Sequence, residues 1–129
     1  MSHSVNIKTQ FKNISNLLKQ FEKAGWVITY DAKCNTYPSD PRKDELHRYV
    51  AVNPAKGGYD VGIDIDGENN AYFVCDFFGG SIERSLGQNM KKIKQGYALD
   101  ELKKFMSEED LDYTVTELAT GELVVTAEK

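Results

Sequence analysis

Residues 59–65 have the sequence Tyr59-Asp60-Val61-Gly62-Ile63-Asp64-Ile65, in which apolar residues alternate with aspartates and a glycine. This period of two predicts a β-strand with one apolar face and one acidic face. A polar turn at residues 66–70 and an apolar run at residues 71–77 complete a β-hairpin. Because residues 59–81 contain five acidic side chains and no basic one, we expect the outer face of this hairpin to be acidic.

The chain before the hairpin predicts a β-α-β arrangement. Residues 2–8 have strand character, and residues 26–30 are aromatic and β-branched, which favours a second strand. Between them, Asn13 is expected to cap the start of an amphipathic helix and Gly25 to end it in a left-handed conformation. The apolar stripe of this helix has i, i+3, i+4, i+7 spacing and consists of Ile14, Leu17, Leu18 and Phe21.

A long loop is predicted at residues 31–46, where Pro38 and Pro41 lie among polar residues. Loops of this length in a small domain are often functional, and tolerance of an insertion explains this one equally well. A strand at residues 48–52 is expected to follow the loop and to lead into the hairpin.

A second helix is predicted after Gly79-Gly80, with Gly96 as a candidate kink because glycine destabilises a helix interior. Its apolar residues recur at spacings of four, three and four and are Leu86, Met90, Ile93 and Tyr97. Two further strands, at residues 113–118 and 123–127, are expected around a turn at residues 119–122.

The predicted order is therefore β-α-β-β-β-β-α-β-β. Helices combined with mostly antiparallel strands indicate an α+β fold, a two-layer sandwich with the two main helices on one face of the sheet. The 129 residues suit a single domain, residues 1–129, that can bury a core without disulfides or metal.

Composition limits the function classes. The net charge of −4 gives no general attraction to nucleic acid or to an anionic membrane. No apolar stretch approaches the length of about 20 residues that a membrane helix needs, and Cys34 and Cys75 do not form a C-x-x-C pair. We expect a soluble protein without a membrane partner, located in the cytoplasm or in the plastid stroma.

Metal and cofactor motifs are weak. Residues 62–73 resemble a calcium loop in part, but they lack the acidic first ligand and the bidentate glutamate at position twelve. A surface cation near Asp64 and Asp66 is an alternative to the favoured interpretation, a solvated hairpin end. We therefore predict no metal site and no cofactor.

The sequence also supplies no clear nucleophilic site. Cys75 lies inside a predicted strand, where a free cysteine usually packs as a small core residue. Cys34 lies in the long loop beside Lys33, which would favour its thiolate, and a pairing with His47 is a guess. We predict no catalytic residues, and an enzyme of unknown class is the least favoured function.

The second predicted helix carries a cluster of basic residues. Lys91, Lys92 and Lys94 lie close to Gln95 and Tyr97, a combination that suits phosphate or single-stranded nucleic acid. Tyr49 and Tyr59 would be the stacking residues of such a site. The favoured alternative is that the lysines only solvate the outer helix face.

Five segments in order resemble one family, the hypothetical chloroplast reading frame thirty-five family, a domain of unknown function found in cyanobacteria, algal plastids and cyanophages. The segments span nearly the whole chain and are Met1-Ser2-His3 with Ile7-Lys8-Thr9-Gln10, Tyr59-Asp60-Val61-Gly62, Tyr72-Phe73-Val74-Cys75-Asp76, Gln95-Gly96-Tyr97-Ala98 and Gly121-Glu122-Leu123-Val124-Val125. The resemblance implies a small soluble protein of a photosynthetic lineage or its virus, and it implies no catalytic residues.

Polar residues of these segments form the predicted binding surface. They have two interpretations: a polar network that fixes strand register, or a groove for a protein partner or a small ligand. The residues are His3, Lys8, Gln10, Asp76, Gln95 and Tyr97, to which the basic helix adds Lys91, Lys92 and Lys94. We expect a non-catalytic binding or regulatory module of unknown partner, with nucleic-acid binding as the alternative.

Overall fold

The computed structural model describes the backbone of residues 5–119 and 123–128, and the side chains of residues 11–119 and 124–126. Its contacts divide the chain into two compact units, Met1–Ile93 and Lys94–Lys129. Each unit is described by itself below. The single-domain organisation stays a prediction.

The α+β class and the predicted order of elements are confirmed, except that the second helical region is divided. The elements are β1 (Val5–Phe11), α1 (Ile14–Lys23), β2 (Val27–Lys33), β3 (Leu46–Val52), β4 (Val61–Ile65), β5 (Ala71–Cys75), a 3-10 turn (Phe78–Gly80), α2 (Ser81–Leu86), a second 3-10 turn (Gln88–Met90), α3 (Lys91–Glu108), β6 (Asp112–Glu117) and β7 (Leu123–Glu128).

The predicted hairpin is the centre of the first unit. Strands β4 and β5 pair antiparallel with Ile63 opposite Phe73, and the five-stranded sheet has the order β1-β5-β4-β3-β2. In the turn, the Asp66 Oδ1 atom accepts hydrogen bonds from the N–H groups of Glu68 and Asn70 at 2.9 and 3.0 Å. Asp66 therefore shapes the hairpin turn, as aspartate commonly does.

Helix α1 packs on the face of the sheet that carries Phe73. The Phe21 ring lies 5.9 Å from the Phe73 ring and 5.9 Å from the Trp26 ring, both in edge-on contact. Both predicted ends of the helix are confirmed: the Asn13 side chain accepts a hydrogen bond from the Asn16 N–H, and Gly25 has a φ of 88°. This face contains the aromatic core of the unit.

The opposite face of β4 is covered, so the prediction that the acidic face of the hairpin points outward is wrong. Gly62 lies on this face, and the His47 ring packs directly over it. His47 is buried, with only 2% of its surface exposed. Asp60 is buried, and its carboxylate and backbone bind Asn35 of the long loop. The loop, now residues 34–45, therefore contributes buried groups to the unit, among them Cys34 and Asp40.

The second helical region breaks where the sequence predicted a continuous helix. Gly87 has φ 81° and ψ 167°, and Asn89 has φ 54°, so neither residue is in a right-handed helical conformation. Helix α3 is then continuous from Lys91 through Gly96, which was the predicted kink. The apolar spacing misled because Leu86, Met90 and Ile93 are buried on both sides of the break, and burial does not require one unbroken helix.

The second unit ends in a hairpin. Strands β6 and β7 pair antiparallel from Asp112 opposite Glu128 to Glu117 opposite Leu123, which confirms the two predicted strands. The side chains of β6 are exposed. Among the described helices of the chain, none has the length and apolar character needed to cross a membrane.

Replacing Gly62 with alanine should destabilise the protein by about 1 to 3 kcal/mol, the usual cost of overpacking. A Cβ atom at Gly62 would lie 2.7 Å from the His47 Cγ atom, which the short imidazole side chain cannot easily avoid. Chemical denaturation measures the change. Gly67→Ala is the matched control, because a Cβ atom there meets nothing within 4 Å; equal effects of the two substitutions would contradict the packing that we describe.

Candidate functional site

The predicted binding residues fall into three groups. His3 lies outside the described residues, as do the side chains of Lys8 and Gln10, whose backbone belongs to β1. Asp76, Lys91 and Lys92 belong to the first unit, and Lys94, Gln95 and Tyr97 to the second. A common surface for all nine residues stays a prediction.

Asp76 is a structural residue of the first unit. It is 1% exposed, and its Oδ1 atom accepts a hydrogen bond from the Phe78 N–H at 2.9 Å. Its Oδ2 atom is also buried, and no hydrogen-bond donor among the described residues reaches it. The contact that the structure shows for this carboxylate stabilises the turn leading to α2, as in the polar-network interpretation.

A pocket of about 300 Å³ lies between the C-terminal end of α1 and the first turn of α3. It is lined by Gln20, Lys23, Ala24, Ser85, Lys92 and Ile93. Lys92 is thus the one predicted binding residue that lines it. Lys23, at the end of α1, and Ser85, in α2, were not predicted, because their proximity depends on how the helices pack.

The polar groups of this pocket are held in place by neighbouring contacts. The Ser85 Oγ atom accepts a hydrogen bond from the Trp26 indole N–H at 2.9 Å. The Gln20 amide donates to the Asn16 Oδ1 atom at 2.7 Å. Lys92 lies in the first turn of α3, the end of a helix that carries partial positive charge. The pocket therefore combines two ammonium groups with oriented hydroxyl and amide groups, a set that suits an anion.

A second polar cluster surrounds the buried His47. Its Nδ1 atom lies 2.7 Å from the Asp64 Oδ2 atom, and the Asp64 Oδ1 atom accepts a hydrogen bond from the Arg48 N–H at 2.9 Å. The Glu45 carboxylate completes a group in which three ligand atoms lie within 4.8 Å of one another. The sequence analysis missed this cluster, because it placed Glu45 in the long loop and began the following strand at residue 48; the meeting with Asp64 depends on the fold.

Glu45 is itself held by an arginine. The Arg42 guanidinium donates to both Glu45 carboxylate oxygens, at 3.0 and 2.6 Å. These hydrogen bonds are the main reason that the pKa of Glu45 lies below, and that of Arg42 above, its ordinary value. The bidentate pair closes the last turn of the long loop, directly before β3.

Asp60 anchors the start of the same loop. Its two oxygens accept hydrogen bonds from the N–H groups of Asn35, at 2.8 Å, and Asn53, at 2.9 Å. Burial raises the pKa of Asp60, and the two N–H donors oppose that rise. The carboxylate thus connects the loop to the segment between β3 and β4.

Cys34 has the opposite character from the one predicted. The thiol is buried, and this burial, with Asp60 as the next contribution, raises its pKa to about 12. The prediction that Lys33 favours the thiolate is therefore wrong: burial and, after it, Asp60 disfavour the thiolate, and Lys33 lies 3.7 Å from Asp44. A nucleophilic role needs the thiolate, so the geometry gives no support to this one.

Comparisons of the chain with protein-family models, with curated proteins and with solved structures find no match.

Alkylation should show the raised pKa of Cys34. In a Cys75→Ala variant, we expect iodoacetamide at about pH 8 to react with folded Cys34 about 1,000-fold more slowly than with the unfolded chain, because the thiolate fraction falls by about that factor when the pKa rises from 9.0 to about 12. Mass spectrometry over time, with and without guanidinium, gives the two rates. Similar rates in the folded and unfolded protein would contradict a buried, protonated thiol.

The raised pKa of Asp60 should make its contribution to stability fall as pH rises. Between the ordinary carboxyl pKa of about 3.9 and the raised value, the folded state keeps a proton that the unfolded state has lost. The unfolding free energy of the wild type, minus that of Asp60→Asn, should therefore decrease across this interval and then level off. Denaturation at several pH values measures it. Glu45→Gln is the control: because the pKa of Glu45 is lowered, the corresponding difference in unfolding free energy should increase with pH. If the difference between the wild type and Asp60→Asn stays constant or increases with pH, the pKa of Asp60 is not raised.

Proposed function

We propose that this protein is a non-catalytic binding module that holds a small ligand with a phosphate or carboxylate group in the pocket of Lys23 and Lys92. The observation that carries the proposal is the pocket itself, about 300 Å³ in volume and lined by two lysines, a serine and a glutamine. That volume is at the lower end of the range typical for small-molecule sites, roughly 300 to 1,000 Å³. It suits a small ligand better than an extended polymer.

The hydrogen-bonding state of Ser85 supports an anionic ligand. Because its Oγ atom already accepts the proton of the Trp26 indole, its own hydroxyl proton is available to donate toward the pocket. Lys92 is exposed and forms no ion pair with any residue that the structure describes. The Ser85 hydroxyl and the Lys92 ammonium group can therefore each donate a hydrogen bond to a ligand oxygen without breaking a contact that the structure describes.

Nucleic-acid binding has less support. The predicted stacking residues, Tyr49 and Tyr59, do not line the pocket. The Tyr49 ring contacts the Tyr30 ring at a centroid distance of 5.5 Å. Burial is the main reason that the pKa of the Tyr59 hydroxyl is raised, and the nearby Asp76 is the second. We also propose that the protein is a member of the chloroplast reading frame family that its sequence resembles, and that it is located in the cytoplasm or in the plastid stroma.

Removing the charge of Lys92 tests the proposal. A charge-assisted hydrogen bond contributes about 1.5 to 3 kcal/mol, so Lys92→Gln should weaken binding of the ligand by about tenfold or more. Isothermal titration with inorganic phosphate, adenosine monophosphate and citrate as separate probes gives the dissociation constants. Lys104→Gln is the matched control, because Lys104 is an exposed lysine of the same helix outside the pocket.

Two outcomes would overturn the proposal: no binding of any probe, or the same affinity in the wild type and Lys92→Gln. A thymidine oligonucleotide is the comparison ligand. If it alone binds, with an affinity that falls steeply with salt, the nucleic-acid alternative replaces the small-ligand proposal.

A further inference from the structure

Three side chains converge at the point where the long loop meets the sheet. Glu45 is the last residue of the loop, His47 lies in β3 and Asp64 in β4. One ligand atom from each lies within 4.8 Å of the other two. Imidazole nitrogen and carboxylate oxygen are both common ligands of divalent transition metals.

The central ligand of this group is held rigidly. The His47 side chain is 1% exposed, and its ring lies over the Gly62 backbone, where a side chain would collide with it. Its Nδ1 atom faces the Asp64 Oδ2 atom at 2.7 Å. The imidazole therefore has a defined position and a defined neighbour, which a surface histidine generally lacks.

Both carboxylates have the outer partners that are typical of metal ligands. The Asp64 Oδ1 atom accepts a hydrogen bond from the Arg48 N–H, which leaves Oδ2 directed at His47. The Glu45 oxygens accept from Arg42. Since a carboxylate has about four lone-pair positions, Glu45 can keep its arginine and still bind a cation.

The surroundings of the cluster are acidic. Asp40 and Asp60 are buried in the same unit. After burial itself, which is the largest cause, these two carboxylates and Asp64 contribute to the raised pKa of Cys34. Arg42 is already paired with Glu45. A bound cation would therefore lower the electrostatic free energy of a site in which the Glu45 and Asp64 carboxylates lie close to one buried imidazole.

We propose that Glu45, His47 and Asp64 form a binding site for a divalent transition metal of the Zn²⁺ class. Metal–ligand bonds of about 2.1 Å in a tetrahedral site separate two ligand atoms by roughly 3.4 Å. The Nδ1–Oδ2 pair, now at 2.7 Å, opens slightly to admit the ion, and the metal replaces the hydrogen bond. Three protein ligands leave a coordination position for water. The bound ion connects the loop to β3 and β4.

The test is titration of the metal-free protein with Zn²⁺ alone, followed calorimetrically, with Co²⁺ as a spectroscopic probe. We expect one ion per chain and a visible Co²⁺ spectrum typical of four or five ligands. Zn²⁺ should also raise the Tm, because it binds the folded state. Glu45→Gln and Asp64→Asn should each weaken binding at least tenfold. Glu45 is at the mouth of the site, so its variant should fold even if that of Asp64 does not.

Matched controls separate this site from other ligands. Asp44→Asn removes an adjacent exposed carboxylate outside the cluster, and His3→Ala removes the other histidine of the chain. Both should leave the affinity unchanged. Absence of Zn²⁺ binding, or binding that Glu45→Gln leaves unaltered, would overturn the proposal. Lys23 and Lys92 are not ligands of the proposed metal site. The outcome of the Zn²⁺ titration is therefore independent of the outcome of the titrations with phosphate, adenosine monophosphate and citrate.

Discussion

The close approach of the His47 ring to the Gly62 backbone is the constraint on which the arrangement of this protein's loop and clusters depends. With any side chain at residue 62, the imidazole could not lie against the central strand. Lying there, it reaches Asp64, whose second oxygen binds the Arg48 N–H. The missing side chain of one glycine thus allows a buried polar cluster on the face of the sheet opposite the aromatic core.

A buried carboxylate then holds the start of the long loop: Asp60 accepts a hydrogen bond from the Asn35 N–H. At the other end, the exposed pair of Arg42 and Glu45 closes a turn within the loop itself. A loop of this length would have a high conformational entropy if it were free, and these charge-assisted hydrogen bonds offset part of the cost of ordering it. The loop ends at Glu45, directly before β3, which begins at Leu46, and this places Glu45 beside His47. The end of the loop therefore contributes a ligand to the proposed metal site.

The two proposed sites differ in chemistry and in origin. The pocket of Lys23 and Lys92 is formed by helix ends and presents donors, whereas the cluster of Glu45, His47 and Asp64 is formed by strands and presents acceptors. An anion and a cation would thus each meet complementary charge in the first unit.

The sequence alone determined the elements: the alternation in β4, the stripe and caps of α1 and the antiparallel hairpins follow from local periodicity and capping, which act between near neighbours. It could also indicate Lys92 as a binding residue. Only the tertiary structure decided that the acidic face of β4 is covered, that Lys23 joins Lys92, and that Glu45 and His47 meet Asp64. The physical reason is that these contacts join residues far apart in the chain, and burial by a loop without regular periodicity leaves no local pattern to detect.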